Sequence, residues 1–235
     1  MSDLGRLIDA CDALTNTVEN KHAQIDETLQ NAIAELQNTA ASLSSQLPRI
    51  CVSENPFLEI DASTQLPTGL MMHDDVTAEL FETIPRSPEE RTSAQLQLLQ
   101  SMEDDLGVSL RAHEYYDRGF NIIKLSWTQL TNSNWLAFPA YSKSGTGAYP
   151  EQVLLTYGAF VKVLSGEITG YWGEGTTLNK WHFGNGLCEV SGRFGNYFHP
   201  HPLRKSATGS VLVALPFITT GNVQNAAEWY PQTII

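Results

Sequence analysis

The amino-acid sequence predicts a segregated α+β protein, in which an N-terminal parallel coiled coil precedes a C-terminal antiparallel β-sandwich or barrel-like domain. Two observations carry this prediction. Apolar residues recur at alternating steps of three and four along the first 47 residues. Beyond residue 113, short apolar runs are separated, roughly every ten residues, by glycine-rich turn signals, and all five tryptophans lie in this part.

The composition limits the class of partner. The chain has 235 residues and a net charge of −12 at pH 7, which argues against nucleic acid or an anionic membrane as a binding partner. Its three cysteines are widely spaced, so we expect neither a disulfide framework nor a thiolate metal site. No apolar window approaches the length of a membrane span, and no signal-peptide pattern opens the chain. We therefore expect the protein to be synthesised in a cytoplasm and not to insert into a membrane.

Residues 1–47 are the predicted coiled-coil stalk. Spacing of three and four is typical of an a/d seam, and the mostly polar flanks favour self-association over packing on a broad core. Lys21 interrupts the seam with a charge. The alternative is a long amphipathic helix packed within a globular domain. The predicted oligomer seam comprises Leu4, Leu7, Cys11, Leu14, Val18, Ile25, Leu29, Ile33, Leu36, Leu43 and Leu47.

Residues 48–112 are predicted to form a proline-bearing connector that contains a second helix at about 88–106. Ser87 is the predicted N-cap, and Glu90 would complete a capping box with it. Gly107 suits the left-handed position that follows a helix C-terminus. This helix could belong to a second bundle of the same oligomer, or it could pack on the β domain.

Residues 113–235 are the predicted β-rich C-terminal domain. Runs of β-branched and aromatic residues alternate with turn signals such as Ser165-Gly166 and Gly184-Asn185-Gly186. The predicted strands are 120–127, 135–138, 152–164, 168–172, 180–183, 187–190 and 211–219.

Candidate ligand residues are histidines and aromatics, and no catalytic residue is predicted. In an extended segment His199 and His201 would face the same side, so both imidazoles could bind one divalent metal. The alternative is a rigid, proline-held loop with solvated histidines. Aromatic side chains beside glycine turns could form a stacking platform for a sugar, or they could belong to the core. They are Trp172, Trp181, Tyr197 and Trp229.

The layout resembles bacteriophage tail-fibre and tail-tip subunits, which are receptor-binding proteins of the virion. The stretch Val18-Glu19-Asn20-Lys21-His22, followed by Ile25-Asp26, is similar to their coiled coils, and the His-x-His at 199 and 201 is similar to the iron-binding motif of some trimeric fibre tips. The resemblance implies a homotrimer in the virion tail, made in the host cytoplasm and bound to other tail proteins. It also implies possible iron at the histidine pair.

Three functions remain open from the sequence. The first is a trimeric tail-fibre or tail-tip subunit that attaches to a host surface glycan or protein through its β domain. The second is a purely structural connector or collar subunit, which anchors other tail proteins and has no host ligand. The third is a glycan depolymerase, which requires a close pair of carboxylates that the sequence does not indicate.

Overall fold

The computed structural model of the protein describes residues 3–46, 49–130, 133–141, 148–188, 190–192 and 194–231. Its internal contacts divide the chain into two compact units, Met1–Leu47 and Pro48–Ile235. Leu47, the last predicted seam residue, lies outside the described residues. Among the described helices, none is long and apolar enough to cross a membrane.

The first unit is a single helix, α1 (Asp3–Gln46), and this corrects the predicted coiled coil. α1 has 44 residues, which corresponds to about 66 Å of helix. A coiled coil requires at least two helices wound around each other, and within the described residues this unit has only α1. The prediction of an N-terminal coiled coil as the fold of the chain is therefore wrong. The spacing of three and four specifies an apolar stripe on one helix, but it does not supply the second helix.

The second unit is built on antiparallel β-sheet. Its described strands in chain order are β1 (Leu70–Met72), β2 (Val76–Ile84), β3 (Phe120–Trp127), β4 (Ala137–Pro139), β5 (Tyr149–Pro150), β6 (Leu155–Ser165), β7 (Ile168–Thr169), β8 (Trp181–Cys188), β9 (Tyr197–Phe198), β10 (Leu203–Arg204) and β11 (Gly209–Thr220). These strands form one five-stranded sheet of order β2-β3-β11-β6-β8 and three two-stranded sheets, β1-β4, β5-β9 and β7-β10.

This architecture also corrects the predicted β-sandwich or barrel. A sandwich needs a second sheet of comparable size, and a barrel needs the first sheet to close on itself. The smaller strands of the described chain are only two or three residues long. They pair in twos between segments that are distant in sequence, so they form short separate ladders rather than a second layer.

Helix α2 (Ser93–Leu106) and loops pack on opposite faces of the sheet. Adjacent residues of β3 alternate between the two sides, so that Ile122 belongs to the core under α2 and Ile123 to the core on the other face. Leu99 and Met102 of α2 are buried against the first face. Both faces of the central strands are therefore covered, which explains the nearly continuous apolar run of β11.

The start of α2 differs from the sequence prediction, and its end agrees with it. The capping box is formed by Thr92 and Gln95, each side chain accepting from the backbone N–H of the other residue. Ser87 instead precedes a separate 3₁₀ turn, and the extended backbone of Arg91 separates that turn from α2. Gly107 has φ 67° and ends the helix, which confirms the predicted C-terminus.

Strand β3 confirms the predicted strand 120–127, whereas the predicted turn at Gly184-Asn185-Gly186 is wrong. These residues lie inside β8, which therefore replaces the two short strands predicted at 180–183 and 187–190. A Cβ at Gly184 would overlap the Trp172 carbonyl, and one at Gly186 would overlap the Tyr157 hydroxyl. The glycines here permit close packing on the strand and do not turn the chain.

Candidate functional site

The first candidate surface is the apolar stripe of α1. The predicted seam residues that the structure describes all lie on the exterior of this helix, and the large side chains among them are 46% to 70% exposed. Contiguous apolar patches of this size are rare on monomeric proteins and mark interaction surfaces. The apolar stripe comprises Leu4, Leu7, Cys11, Leu14, Val18, Ile25, Leu29, Ile33, Leu36 and Leu43.

The one charged interruption of the stripe is satisfied within α1. The Lys21 ammonium donates to the Gln24 side-chain oxygen at 3.1 Å, so it needs no partner from outside the helix. The rest of α1 is strongly acidic, with seven acidic and two basic side chains in residues 3–46. Apart from Lys21, the stripe is therefore apolar along its length, and its flanks carry mostly negative charge.

The second candidate surface is an aromatic–histidine cluster on the second unit. The His199 ring stacks on Phe138 with 5.1 Å between ring centroids and 9° between planes. Tyr197 lies 5.3 Å from His199, and Tyr171 lies 5.7 Å from His201. The cluster comprises His73, Trp135, Phe138, Tyr171, Tyr197, His199 and His201, each in ring contact with at least one other member.

The two histidines of the predicted metal pair come together, but without further ligands. Their ring centroids are 6.3 Å apart with planes tilted by 46°, and the His201 N–H donates to the His199 carbonyl at 2.9 Å. Burial lowers the pKa of His201 below its ordinary value. No group of three or more His, Cys, Asp or Glu residues among those described could hold a metal ion. The metal at His199 and His201 stays a prediction.

The buried Arg204 fixes the loops that carry two members of the cluster. The Arg204 guanidinium is fully buried and donates to the backbone carbonyls of Ser133 and Gln129 at 3.1 and 3.2 Å. It also lies 3.6 Å from the Asp75 carboxylate, which in turn lies 3.3 Å from Nδ1 of His73. Because fixed carbonyls and a carboxylate surround it, Arg204 holds the loops that carry His73 and Trp135 in one arrangement.

Three of the four predicted stacking residues lie in the core. Trp172, Trp181 and Trp229 are 1%, 3% and 2% exposed. Trp229 stacks on Phe217 at 3.9 Å, and its Nε1 donates to the Leu215 carbonyl. These indoles have no face free for a sugar, so their assignment to a stacking platform is corrected to a packing role. Tyr197, by contrast, is 61% exposed and belongs to the aromatic–histidine cluster.

Exposed apolar side chains also lie beside the cluster, on loops that sequence reasoning did not select. Phe194 is fully exposed and Val190 is 51% exposed. The facing loop carries Val153, which is 48% exposed. The Glu151 N–H donates to the Asn196 carbonyl at 3.3 Å, and the Asn196 side-chain amide donates to the Glu151 carboxylate at 3.1 Å, so the two loops are held together. We name this surface the apolar loop patch, and it comprises Val153, Leu154, Val190 and Phe194 on the loops, together with Leu187 near the end of β8.

The remaining cluster members were missed because strand pairing unites residues that are distant in sequence. Trp135 is joined to Leu203 by an isolated β-bridge, and Leu203 pairs with Thr169 two residues before Tyr171. No periodicity in the sequence predicts that residues 73, 135, 171 and 199 lie close together. Only the aromatic composition of the second half of the sequence indicated that such a cluster could form.

No family model matches the sequence, and no curated protein matches it. Neither comparison identifies a tail protein, so the resemblance to tail-fibre subunits stays a prediction.

Proposed function

We propose that this chain is a non-catalytic structural subunit of a virion tail, of the fibre or tip kind, which joins copies of itself through α1 and attaches to a host surface through Pro48–Ile235. The single observation that carries the proposal is the apolar stripe of α1, whose large side chains are 46% to 70% exposed along the helix. An apolar surface of this length on a helix is covered when the protein functions.

A second copy of α1 is the occupant that fits this stripe. Burial of a Leu, Ile or Val side chain stabilises by about 1.5–3 kcal/mol, so nine partly exposed side chains contribute on the order of 10 kcal/mol per copy. The entropic cost of association is of comparable size, about 4–15 kcal/mol. Apolar burial between two or more copies therefore offsets the entropic cost of association. The resemblance to tail fibres implies three copies.

Attachment to the host is assigned to the aromatic–histidine cluster. Tyr197 presents an exposed ring, the half-buried His199 lies 5.3 Å from it, and the half-buried Tyr171 contacts His201. Exposed aromatic faces next to polar ring nitrogens suit stacking and hydrogen bonding to a sugar ring. A host surface glycan is therefore the ligand we assign to this surface.

The connector alternative is favoured by a different observation. Three of the four aromatics expected to bind sugar are buried, whereas the apolar loop patch exposes Phe194 completely. Exposed apolar side chains suit protein contacts better than glycan contacts. In this second function the second unit anchors a neighbouring tail protein through the apolar loop patch and binds no host ligand.

Self-association is tested by sedimentation of the full chain. We expect a mass that is a multiple of the 26.0 kDa monomer. The double variant Leu29→Gln/Ile33→Gln, which keeps good helix formers but interrupts the stripe, is expected to sediment as a monomer. The matched variant Gln30→Ala/Gln37→Ala changes the flanking face and should keep the wild-type mass. A monomeric wild type would overturn the proposal.

The two functions of the second unit are separated by a glycan array. Binding that is lost in Tyr197→Ala and kept in Phe194→Ala supports attachment through the aromatic–histidine cluster. Absence of binding to every glycan would contradict the attachment role and favour the connector. Both substitutions remove an exposed aromatic ring, so each is the control for the other.

A further inference from the structure

One member of the aromatic–histidine cluster has a strained backbone. Tyr171 has φ 47°, and it is the only cluster member among the six described non-glycine residues in the left-handed region. For a bulky side chain this conformation is costly, and it persists only where the surrounding structure imposes it. Residues of this kind concentrate at ligand-binding sites. The backbone of Tyr171 therefore indicates that its ring is held in one required orientation.

The 3₁₀ turn that carries Tyr171 is packed tightly on both of its following residues. Trp172 is 1% exposed, and its carbonyl packs so closely on Gly184 that a Cβ there would overlap it. Gly173 is also buried, and a Cβ at this position would come within 2.8 Å of Pro202. Because the turn cannot relax without losing these contacts, they maintain the strained backbone of Tyr171.

The Glu174 carboxylate fixes the chain on the other side of Tyr171. It accepts from the Thr169 hydroxyl at 2.6 Å and from the Gly170 N–H at 2.8 Å. The hydrogen bond from Thr169, followed by that from Gly170, lowers the pKa of Glu174 below its ordinary value, so the carboxylate is charged at neutral pH. Because Gly170 directly precedes Tyr171, Glu174 fixes the direction in which the chain enters Tyr171.

The Tyr171 ring has neighbours on two sides, and its hydroxyl is free. The ring centroid lies 5.3 Å from that of Tyr157 and 5.7 Å from that of His201. In the described part of the chain, the Tyr171 hydroxyl has no hydrogen-bond partner, and it is not among the buried polar atoms that lack one. The hydroxyl therefore lies at the surface, where a ligand can reach it.

Tyr197, the exposed tyrosine of the cluster, is held less firmly than Tyr171. It is 61% exposed, and its one ring contact in the described chain is with His199. An exposed ring with one neighbour suits stacking on the face of a sugar.

A hydroxyl held in one direction has a different use from an exposed ring. It forms a hydrogen bond to a ligand without first losing conformational freedom, so the bond contributes more to affinity. A site that offers such a bond also rejects an analogue that lacks the matching group. The fixed Tyr171 therefore suits discrimination between sugars, and the exposed Tyr197 suits stacking.

We infer that Tyr171 is the specificity-determining residue of the aromatic–histidine cluster and that Glu174 is the residue that positions it. The Tyr171 hydroxyl hydrogen-bonds one hydroxyl of the bound sugar, while the Tyr197 ring stacks on the sugar face. This inference rests on the proposed attachment to a host glycan, and it assigns the choice among glycans to Tyr171.

The test measures binding of the full chain to an array of bacterial surface oligosaccharides. Tyr171→Phe removes only the hydroxyl and should lower the signal about five- to tenfold on the oligosaccharides that the wild type binds, as expected for one hydrogen bond. Tyr115→Phe is the matched control, because Tyr115 is an exposed tyrosine outside the cluster, and it should bind as the wild type does. Thermal unfolding should be the same for both variants and the wild type.

A second pair of variants tests the positioning role of Glu174. Glu174→Gln should lower the same signals by a similar factor, because an uncharged side chain holds Thr169 and Gly170 less firmly. Glu167→Gln, which changes another exposed carboxylate, should bind as the wild type does. In Tyr171→Phe/Glu174→Gln the signals should fall no further than in Tyr171→Phe, since Glu174 acts through the Tyr171 hydroxyl.

The outcomes separate this inference from the proposed attachment. Binding by the wild type with equal binding by Tyr171→Phe would overturn the role of Tyr171 and leave the attachment to a glycan in place. A further loss in the double variant would overturn the positioning role of Glu174. Absence of wild-type binding to every oligosaccharide would overturn the attachment itself, and this inference with it.

Discussion

The same apolar residue types lie in opposite environments in the two units of this protein. Leu and Ile side chains of α1 are 46% to 70% exposed, whereas Ile84, Ile122 and Ile123 of the second unit are fully buried. In the second unit, neighbouring strands and α2 cover the apolar residues within the chain. In the first unit the described residues form a single helix, and no second element of that unit covers its apolar side chains. Apolar periodicity therefore predicts which face is covered, and not whether the covering element comes from the same chain.

The largest expected difference between the units comes from removing one large side chain from each. Phe160→Ala should destabilise the second unit by about 3–5 kcal/mol, since Phe160 is 2% exposed and contacts Phe183. Leu29→Ala on α1 should change that unfolding free energy by less than about 0.5 kcal/mol. Urea unfolding followed by tryptophan fluorescence reports the second unit alone, because every tryptophan lies there. Comparable shifts for both variants would contradict the separation of the units.

Loss of the buried Arg91 guanidinium gives the next largest expected effect. Arg91→Met should cost about 3 kcal/mol, since it leaves the carbonyls of Pro85, Arg86, Arg111 and Ala112 without their donor. Arg111→Met removes only an exposed ion pair and should cost less than about 1 kcal/mol. Thermal unfolding measures both variants. A loss for Arg111→Met as large as that for Arg91→Met would contradict the stabilising role of the four hydrogen bonds from Arg91.

The corrected start of α2 has a smaller, specific consequence. Thr92→Ala should destabilise the second unit by about 1 kcal/mol, because it removes the acceptor for the Gln95 N–H. Ser87→Ala should be nearly neutral, because the Ser87 side chain makes no cap bond. Chemical denaturation of both variants compares them directly. The reverse order would restore the capping box that the sequence predicted.

Salt should act on α1 and leave the second unit almost unchanged. α1 carries seven acidic and two basic side chains, so its net negative charge repels the same net charge on a second copy. This repulsion is screened as ionic strength rises. Raising NaCl from 0.05 to 0.5 M should therefore strengthen self-association several-fold. Sedimentation at low protein concentration measures the change. Dissociation on adding salt would indicate that ion pairs, and not the apolar stripe, hold the copies together.

The smallest effect concerns pH and the second unit. Burial lowers the pKa of His182 below 6.5, and a backbone hydrogen bond at Glu174 offsets part of that shift. Because the unfolded chain binds the proton more readily, the contribution of His182 to stability is present above about pH 6.5 and is lost as the pH falls. His182→Gln should therefore show a smaller loss of stability between pH 7 and pH 5 than the wild type. An identical pH profile would contradict the burial of His182.

Local patterns in the sequence predicted individual elements better than their assembly. Strand β3 and the left-handed Gly107 follow from β-branched alternation and from the C-cap rule, and both are confirmed. Gly184 and Gly186 gave a false turn, since a glycine required by the nearby Trp172 and Tyr157 looks the same in sequence as one that turns the chain. The coiled coil and the sandwich were wrong for a related reason: each needs a second layer that periodicity cannot supply.

The candidate surfaces were predictable only in part. The stripe of α1 could be read from spacing alone, and every described member is exposed. Tyr197, His199 and His201 were selected from composition and local turns, but Phe138 and Trp135 join them only through the pairing of short strands. The burial of Trp172 and Trp229 could not be inferred, because an aromatic beside a glycine turn occurs both on surfaces and in cores.

The most direct test of the account is amide hydrogen exchange of the full chain at two protein concentrations, with α1 and β11 followed in the same sample. If a second copy covers the apolar stripe, α1 amides are protected at high concentration and lose protection on dilution, whereas β11 amides are protected equally at both. Leu29→Gln/Ile33→Gln should remove the protection of α1 at both concentrations and leave β11 unaffected. Protection of α1 that is independent of concentration and unchanged in this variant would contradict self-association through the stripe.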